Sequence, residues 1–225
     1  MATGSDSAGD SAGALSIVSA SREYAVVNKP AGLLSVPGRG EGKEDCVASR
    51  VRAMFPAATG PIIVHRLDME TSGLMVVALN ARAHRVLSGQ FMRRAVEKRY
   101  AAALDGVPAR DEGVIDLPLR VDWPNRPRQV VDHDRGRPSR TRFEVIGRVN
   151  GSARVAFFPE TGRSHQIRVH SATPAANGGL GAAIAGDPLY GDASSAPRML
   201  LHADRLAFIE PEGGSRVEFS CVAPF

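Results

Sequence analysis

One ten-residue stretch, His65-Arg66-Leu67-Asp68-Met69-Glu70-Thr71-Ser72-Gly73-Leu74, constrains the fold of this chain more than any other. Apolar runs with β-branched residues flank it at 61–64 and 74–79, and such runs predict buried strands. A carboxylate, Asp68, is therefore expected on a tight loop at the end of a strand, between an arginine and a Thr-Ser-Gly turn. A loop held by strands on both sides can fix a reactive group in space. A lone Asp in a turn is more often structural, because its side chain bonds to its own turn backbone. Other segments of the chain have to supply the chemical context.

The remaining pattern predicts an α+β fold. Residues 24–28 read as a strand that runs into the turn Lys29-Pro30-Ala31-Gly32. Val47, Val51, Met54 and Phe55 recur at helical spacing, with Asp45 as the expected N-cap and Pro56 as the stop. Ala83, Val86, Leu87 and Phe91 mark one face of a second helix. Short strands are expected at 98–104, 113–117, 141–146, 153–158, 200–209 and 217–222, and a short helix starting at Ser164. Strands in this number, with few helices, predict a mixed sheet with helices packed on it.

Length and charge narrow the class. With 225 residues the chain can build one large domain with a real core. Residues 1–15, rich in Gly, Ser, Ala and Asp, are expected to be a disordered tail before a domain spanning 16–225. The net charge of +4 permits a polyanionic partner without requiring one. Its distribution says more. Seven arginines lie between positions 120 and 142, against the acids Asp122, Asp132 and Asp134. Arg93, Arg94, Lys98 and Arg99 form a second cluster. The planar fork of arginine suits phosphate, although a solvated face with local ion pairs has the same composition. Cys46 and Cys221 lack metal-site spacing, so neither zinc nor a disulfide framework is expected. No apolar run approaches the ~20 residues of a membrane span.

Five segments in order resemble the motifs of the RluA-type RNA pseudouridine synthases. They are Val27 to Gly38 around Asn28-Lys29-Pro30-Ala31-Gly32, the Asp68 decapeptide, Lys98-Arg99-Tyr100, Gly162-Arg163-Ser164-His165-Gln166-Ile167-Arg168-Val169-His170, and Gly186-Asp187-Pro188-Leu189-Tyr190-Gly191 followed by Leu200-Leu201-His202-Ala203. Asp122-Trp123-Pro124-Asn125-Arg126-Pro127-Arg128-Gln129 resembles the narrower RluA branch, which modifies ribosomal and transfer RNA. One departure stands out. Residues 171–185 are Gly- and Ala-rich, longer than usual and without His-Pro, and are expected to be a mobile surface loop.

The resemblance implies a curved mixed, mainly antiparallel β-sheet with helices packed on it and a central active-site cleft. It implies isomerisation of specific uridines to pseudouridine in RNA stem-loops. No cofactor and no metal are expected, since the reaction conserves the atoms of the nucleotide. Asp68 is the expected catalytic carboxylate, acting as nucleophile or base. Arg168 is expected to form a salt bridge with it, because a desolvated carboxylate needs a cation. Tyr100 offers a ring to stack on uracil and a hydroxyl for proton transfer. Arg66 is expected to fill the space vacated by a flipped base. Arg126 and Arg128, from the arginine-rich segment, are the candidates for binding RNA backbone. Glu70 and His65 receive no role. The expected partner is ribosomal or transfer RNA, the expected state a cytoplasmic monomer, with no membrane association. The alternative from another class is an RNA-binding or RNA-folding protein whose catalysis is lost or secondary. Intact Asp68, Tyr100 and Arg168 argue against it.

Overall fold

The computed structural model describes residues 13–225. Its strands are β1 (Ser16–Ala20), β2 (Tyr24–Lys29), β3 (Ser72–Ala78), β4 (Glu97–Leu104), β5 (Glu112–Asp116), β6 (Leu119–Val121), β7 (Gln129–Val131), β8 (Arg140–Val149), β9 (Ser152–Pro159), β10 (Leu201–Ile209) and β11 (Arg216–Ser220). Three α-helices, α1 (Val47–Met54), α2 (Ala81–Met92) and α3 (Gln166–Ala172), complete the set. Nine strands form one sheet in the order β1-β2-β3-β10-β4-β9-β8-β5, with β11 also on β10. Every pairing is antiparallel except β3 with β10. Strands β6 and β7 form a separate hairpin. This is the expected α+β plan with a mixed, mainly antiparallel sheet.

The sheet is covered on both faces at its β2–β3 end, which explains why those strands read as unbroken apolar runs. Ala25, Val27, Met75 and Val77 pack with Val47 and Val51 of α1. The alternate residues Tyr24, Val26, Leu74 and Val76 pack with Ala83 and Leu87 of α2 on the other face. A third cluster joins β4, β5, β8 and β9 to Ile167 of α3. Tyr100 packs against both the first and the third of these clusters, at the centre of the sheet. Two glycines are required by close approach. A Cβ on Gly73 would lie 2.4 Å from the Ala203 carbonyl oxygen, at the parallel β3–β10 pairing, and Gly73 has φ +114°. A Cβ on Gly186 would lie 2.2 Å from the Arg198 carbonyl oxygen. Any larger residue would force these strand and loop crossings apart.

Several details differ from the expectations. Cys46, not Asp45, caps α1, in a reciprocal pair with Ser49, while Asp45 forms an ion pair with Arg50 at 2.6 Å. Residues 61–64 form only a single bridge, Ile63 to Val77, rather than a strand. Helix α3 begins at Gln166, two residues after Ser164, because His165 takes a left-handed conformation. The hairpin β6–β7 was not anticipated: its strands are three residues long and half-exposed, too short for alternation to show.

The segment 171–185 is not a loose loop. Leu180, Ala182, Ile184 and Ala185 are buried. Ile184 bridges Leu104, and Asp105 N–H and Ala185 N–H bond to the carbonyls of Ala183 and Ala103. Two apolar anchors and small residues between them let the segment lie flat along β4. Of the expected tail, residues 1–12 lie outside the described part. Leu15 is buried in the α1 cluster, so the packed structure reaches at least that far toward the N-terminus.

Candidate active site

The loop carrying Asp68 is pinned from below by the segment after β2. Ser35 Oγ donates to the Leu67 carbonyl at 2.7 Å and accepts from Leu67 N–H at 3.1 Å. On the other side of Asp68, Gly32 N–H and Lys29 Nζ both donate to the Met69 carbonyl at 2.9 Å. Lys29 is fully buried and donates two more bonds, to Leu33 O at 2.7 Å and Pro30 O at 3.0 Å. Three carbonyls match the three protons of an ammonium. Burial pulls the Lys29 pKa down to about 7, opposed by the nearby carboxylates of Asp68 and Glu70. Asp68 closes its own turn by accepting from Thr71 N–H at 3.1 Å. The carboxylate itself stays 28% exposed, facing a cleft of about 1110 Å³. That exceeds the roughly 300–1,000 Å³ of a small-molecule pocket and suits a segment of polymer.

Arg168 lies at the back of this cleft, 3% exposed. Its Nη1 is 3.7 Å from Asp68 Oδ2, which is a long ion pair. Its tight partner is Asp187. Nε and Nη2 donate to the two Asp187 oxygens at 2.7 and 2.6 Å. Asp187 is fully buried and also accepts from the N–H groups of Leu189 and Tyr190. Burial raises the Asp187 pKa, but the Arg168 fork and these N–H donors more than offset it, leaving a net fall. Burial likewise opposes the charge on Arg168, and Asp187, Asp68 and Tyr190 more than restore it. One carboxylate thus neutralises the guanidinium and fixes its plane, so the third nitrogen points at Asp68. The expected pairing of Arg168 with Asp68 is therefore present but secondary. Asp187 carried no role in the sequence reading. A buried arginine with both faces of its fork to fill is the signal that a second carboxylate was needed.

Tyr100, on β4, lines the same cleft. Burial, reinforced by the Asp68 charge, raises its pKa, so the phenol keeps its proton and can act as a donor. His65 is occupied structurally: it stacks on Phe91 at 4.3 Å and accepts from Val76 N–H at 3.1 Å. Burial and the neighbouring Lys98 charge lower its pKa to about 3.

Arg66 is exposed and lines the cleft, as does Arg126 from the β6–β7 turn. The Arg126 guanidinium lies 3.4 Å over the exposed ring of Trp123. Arg128 is exposed beside Tyr190, 5.1 Å from its ring centroid, and stands outside the cleft lining. Among the described residues neither Arg126 nor Arg128 forms an ion pair, whereas Arg120 is held by Asp132 and Arg140 by Glu160. The arginine-rich segment is thus part solvated ion-pair face and part free cation. Among the described residues, no group of three or more His, Cys, Asp and Glu side chains could hold a metal ion.

A clamped aspartate and a buried arginine in a cleft lined by Arg66 and Arg126 suit a polyanionic substrate, and comparison with known proteins says which. A family model for RNA pseudouridylate synthase matches residues 23–173. The dual-specificity RNA pseudouridine synthase RluA of Yersinia pestis is 48% identical over 204 residues, 89% of this chain and 95% of the relative. The protein of that name from Escherichia coli K12 is 46% identical over 204 residues, 89% of each chain. Among solved structures, human RNA pseudouridylate synthase domain containing 1 superposes with a TM-score of 0.76 at 30% identity, covering 94% of this chain and 84% of its own. This chain belongs to the RluA-type family of RNA pseudouridine synthases.

Proposed function

We propose that this protein isomerises specific uridines in stem-loops of ribosomal or transfer RNA, with Asp68 as the acting carboxylate. The observation that carries the reading is the pairing of Asp68 with an Arg168 already locked on Asp187, at the floor of a cleft rimmed by unpaired arginines. The reaction breaks the N1–C1′ bond, turns the base and joins C5 to C1′, while the proton on C5 is lost and N1 gains one. An anionic carboxylate can attack C1′ or remove a sugar proton to permit that cleavage. Arg168 sets a cation beside it, and Tyr100 supplies a ring for the base and a phenolic proton. Arg66 takes the place of the flipped nucleotide in its stack. Arg126 and Arg128 bind backbone phosphate.

The catalytic unit spans residues 16–225 and works as a cytoplasmic monomer without metal or cofactor. In support, both cysteines are free, as a reducing compartment favours. No helix of the described residues is long and apolar enough to cross a membrane. The relatives from Yersinia pestis and Escherichia coli are dual-specificity enzymes, which fits action on two RNA classes. The test is tritium release from C5-labelled uridine in ribosomal and transfer RNA stem-loops, with pseudouridine mapping in cells that have and lack the protein. RNA binding without tritium release would leave only an RNA-folding role.

A further inference from the structure

His165 stands at the start of α3 with φ 54° and ψ 18°, in the left-handed region that a residue with a Cβ seldom occupies. Its side chain does not cap the helix. It lines the cleft that Asp68 lines, and its Nδ1 lies 2.8 Å from Tyr190 Oη. The same phenol oxygen accepts from Gln129 N–H, at 2.6 Å, where β7 begins. A phenol carries one proton and two lone pairs. Gln129 fills one lone pair of the phenol, so the Tyr190 proton can turn to Nδ1, and in that tautomer the ring hydrogen sits on Nε2. Among the described residues the only side-chain hydrogen bond of this ring is the one at Nδ1.

The charges around this ring set its state. Asp68 and Asp187 favour protonation, Arg168 opposes it, and burial, the strongest influence, also opposes it, so the pKa is lowered. Near neutral pH His165 is an uncharged ring with one unused N–H beside the acting carboxylate.

We propose that His165 contacts the substrate, donating a hydrogen bond from Nε2 to a carbonyl oxygen of the target uracil, with Tyr190 holding it in that tautomer. The inference rests on the Asp68 cleft being the uridine site. A neutral donor suits a carbonyl, whereas phosphate is better met by the arginines at the rim. When the N1–C1′ bond breaks, its electron pair stays with the base and spreads onto the carbonyl oxygens. A donor fixed beforehand strengthens there without reorganising. His165 keeps its own proton throughout.

The test compares His165→Asn with His165→Gln in single-turnover reactions at saturating RNA. Asn tolerates the left-handed backbone but places no donor where Nε2 was; Gln reaches that position. His165→Asn should slow turnover about 10–100-fold while RNA affinity changes less than about threefold, and His165→Gln should recover much of the loss. Sulfur is the weaker acceptor, so RNA with 2-thiouridine or 4-thiouridine at the target should slow the wild type at one of the two positions. The His165→Asn variant should lose that sensitivity. Tyr190→Phe, which leaves the His165 backbone alone, should cost about 3–10-fold and blunt the same thio effect. Wild-type rates for His165→Asn, or undiminished thio effects in it and in Tyr190→Phe, overturn the proposal. If His165→Asn does not fold, the thio effects in His165→Gln and Tyr190→Phe decide. An active Asp68→Asn variant would instead remove the cleft as the uridine site, and a dead Asp68→Asn beside a fully active His165→Asn removes His165 alone.

Discussion

Leu67 and Met69, on either side of Asp68, are bonded to Ser35, Lys29 and Gly32. The β6–β7 hairpin, facing the same cleft, is a two-stranded sheet of its own whose tip at 123–128 is exposed throughout. In the first region the backbone on both sides of the carboxylate is bonded inside the protein. In the second, Arg126 and Arg128 have rings to lie on but no carboxylate. The difference separates two demands. Bond-making needs a carboxylate placed to within a fraction of an ångström, so its loop is over-determined. Binding a polyanion needs cations whose charge is not already spent, and the two exposed arginines are in the state that the proposed RNA contact requires. Tyr190 joins the two regions, bonded to Gln129 of the hairpin and to His165 beside Asp68.

The sharpest test of this division is Asp68→Asn. It should lower turnover at least about 10³-fold while melting temperature and RNA affinity stay near wild type, because Asn keeps the shape and loses the anion. Activity near wild type would break the comparison outright. Asp187→Asn should follow, costing about 3–5 kcal/mol in urea unfolding along with activity, since it leaves Arg168 buried and half-paired. A variant as stable as wild type would mean that Asp68 alone can hold the guanidinium. Lys29→Met removes the clamp without touching the cleft, leaving the carbonyls of Pro30 and Leu33 unmatched and that of Met69 with Gly32 N–H alone. It should cost about 1–3 kcal/mol and reduce turnover more than RNA affinity.

Acid should weaken the clamped part first. Burial lowers the pKa of His170 and of His202 to about 4 and that of His65 to about 3. Between those values and the unfolded value near 6.5 the unfolded chain binds more protons, so stability falls as pH drops through that window. The slope should reach about 1.4 kcal/mol per pH unit for each such histidine, and His170→Gln should flatten it measurably in urea titrations from pH 7 to 4. A pH-independent unfolding energy would contradict the burial assigned to these rings. The smallest effect belongs to the hairpin. Arg126→Ala with Arg128→Ala should reduce the logarithmic salt slope of RNA binding by about 1–1.5, at roughly 0.7 per phosphate contact, with single-turnover rate on saturating RNA preserved. An unchanged slope would move the RNA track toward Arg94 and Lys98.

Much of the site was legible as residues in strings. Asp68, Tyr100 and Arg168 were identified from motifs far apart in the chain, and all three line one cleft. The partnership among them was less legible. Arg168 was assigned to Asp68, while its two best bonds go to Asp187, nineteen residues away along the chain. Composition misled at 171–185, where glycine and alanine suggest a loose loop but Leu180 and Ile184 seal it against the core.

The sequence by itself determined most of the elements and named the candidate site residues, because apolar periodicity, turn residues and motifs act over a few positions and are written locally. Only the tertiary structure decided how charge is shared. Which carboxylate neutralises Arg168 and why Lys29 can be buried both depend on atoms brought within about 3 Å by the sheet. Hydrogen bonds and ion pairs of that length are set by the packing of distant segments, and no local pattern encodes them.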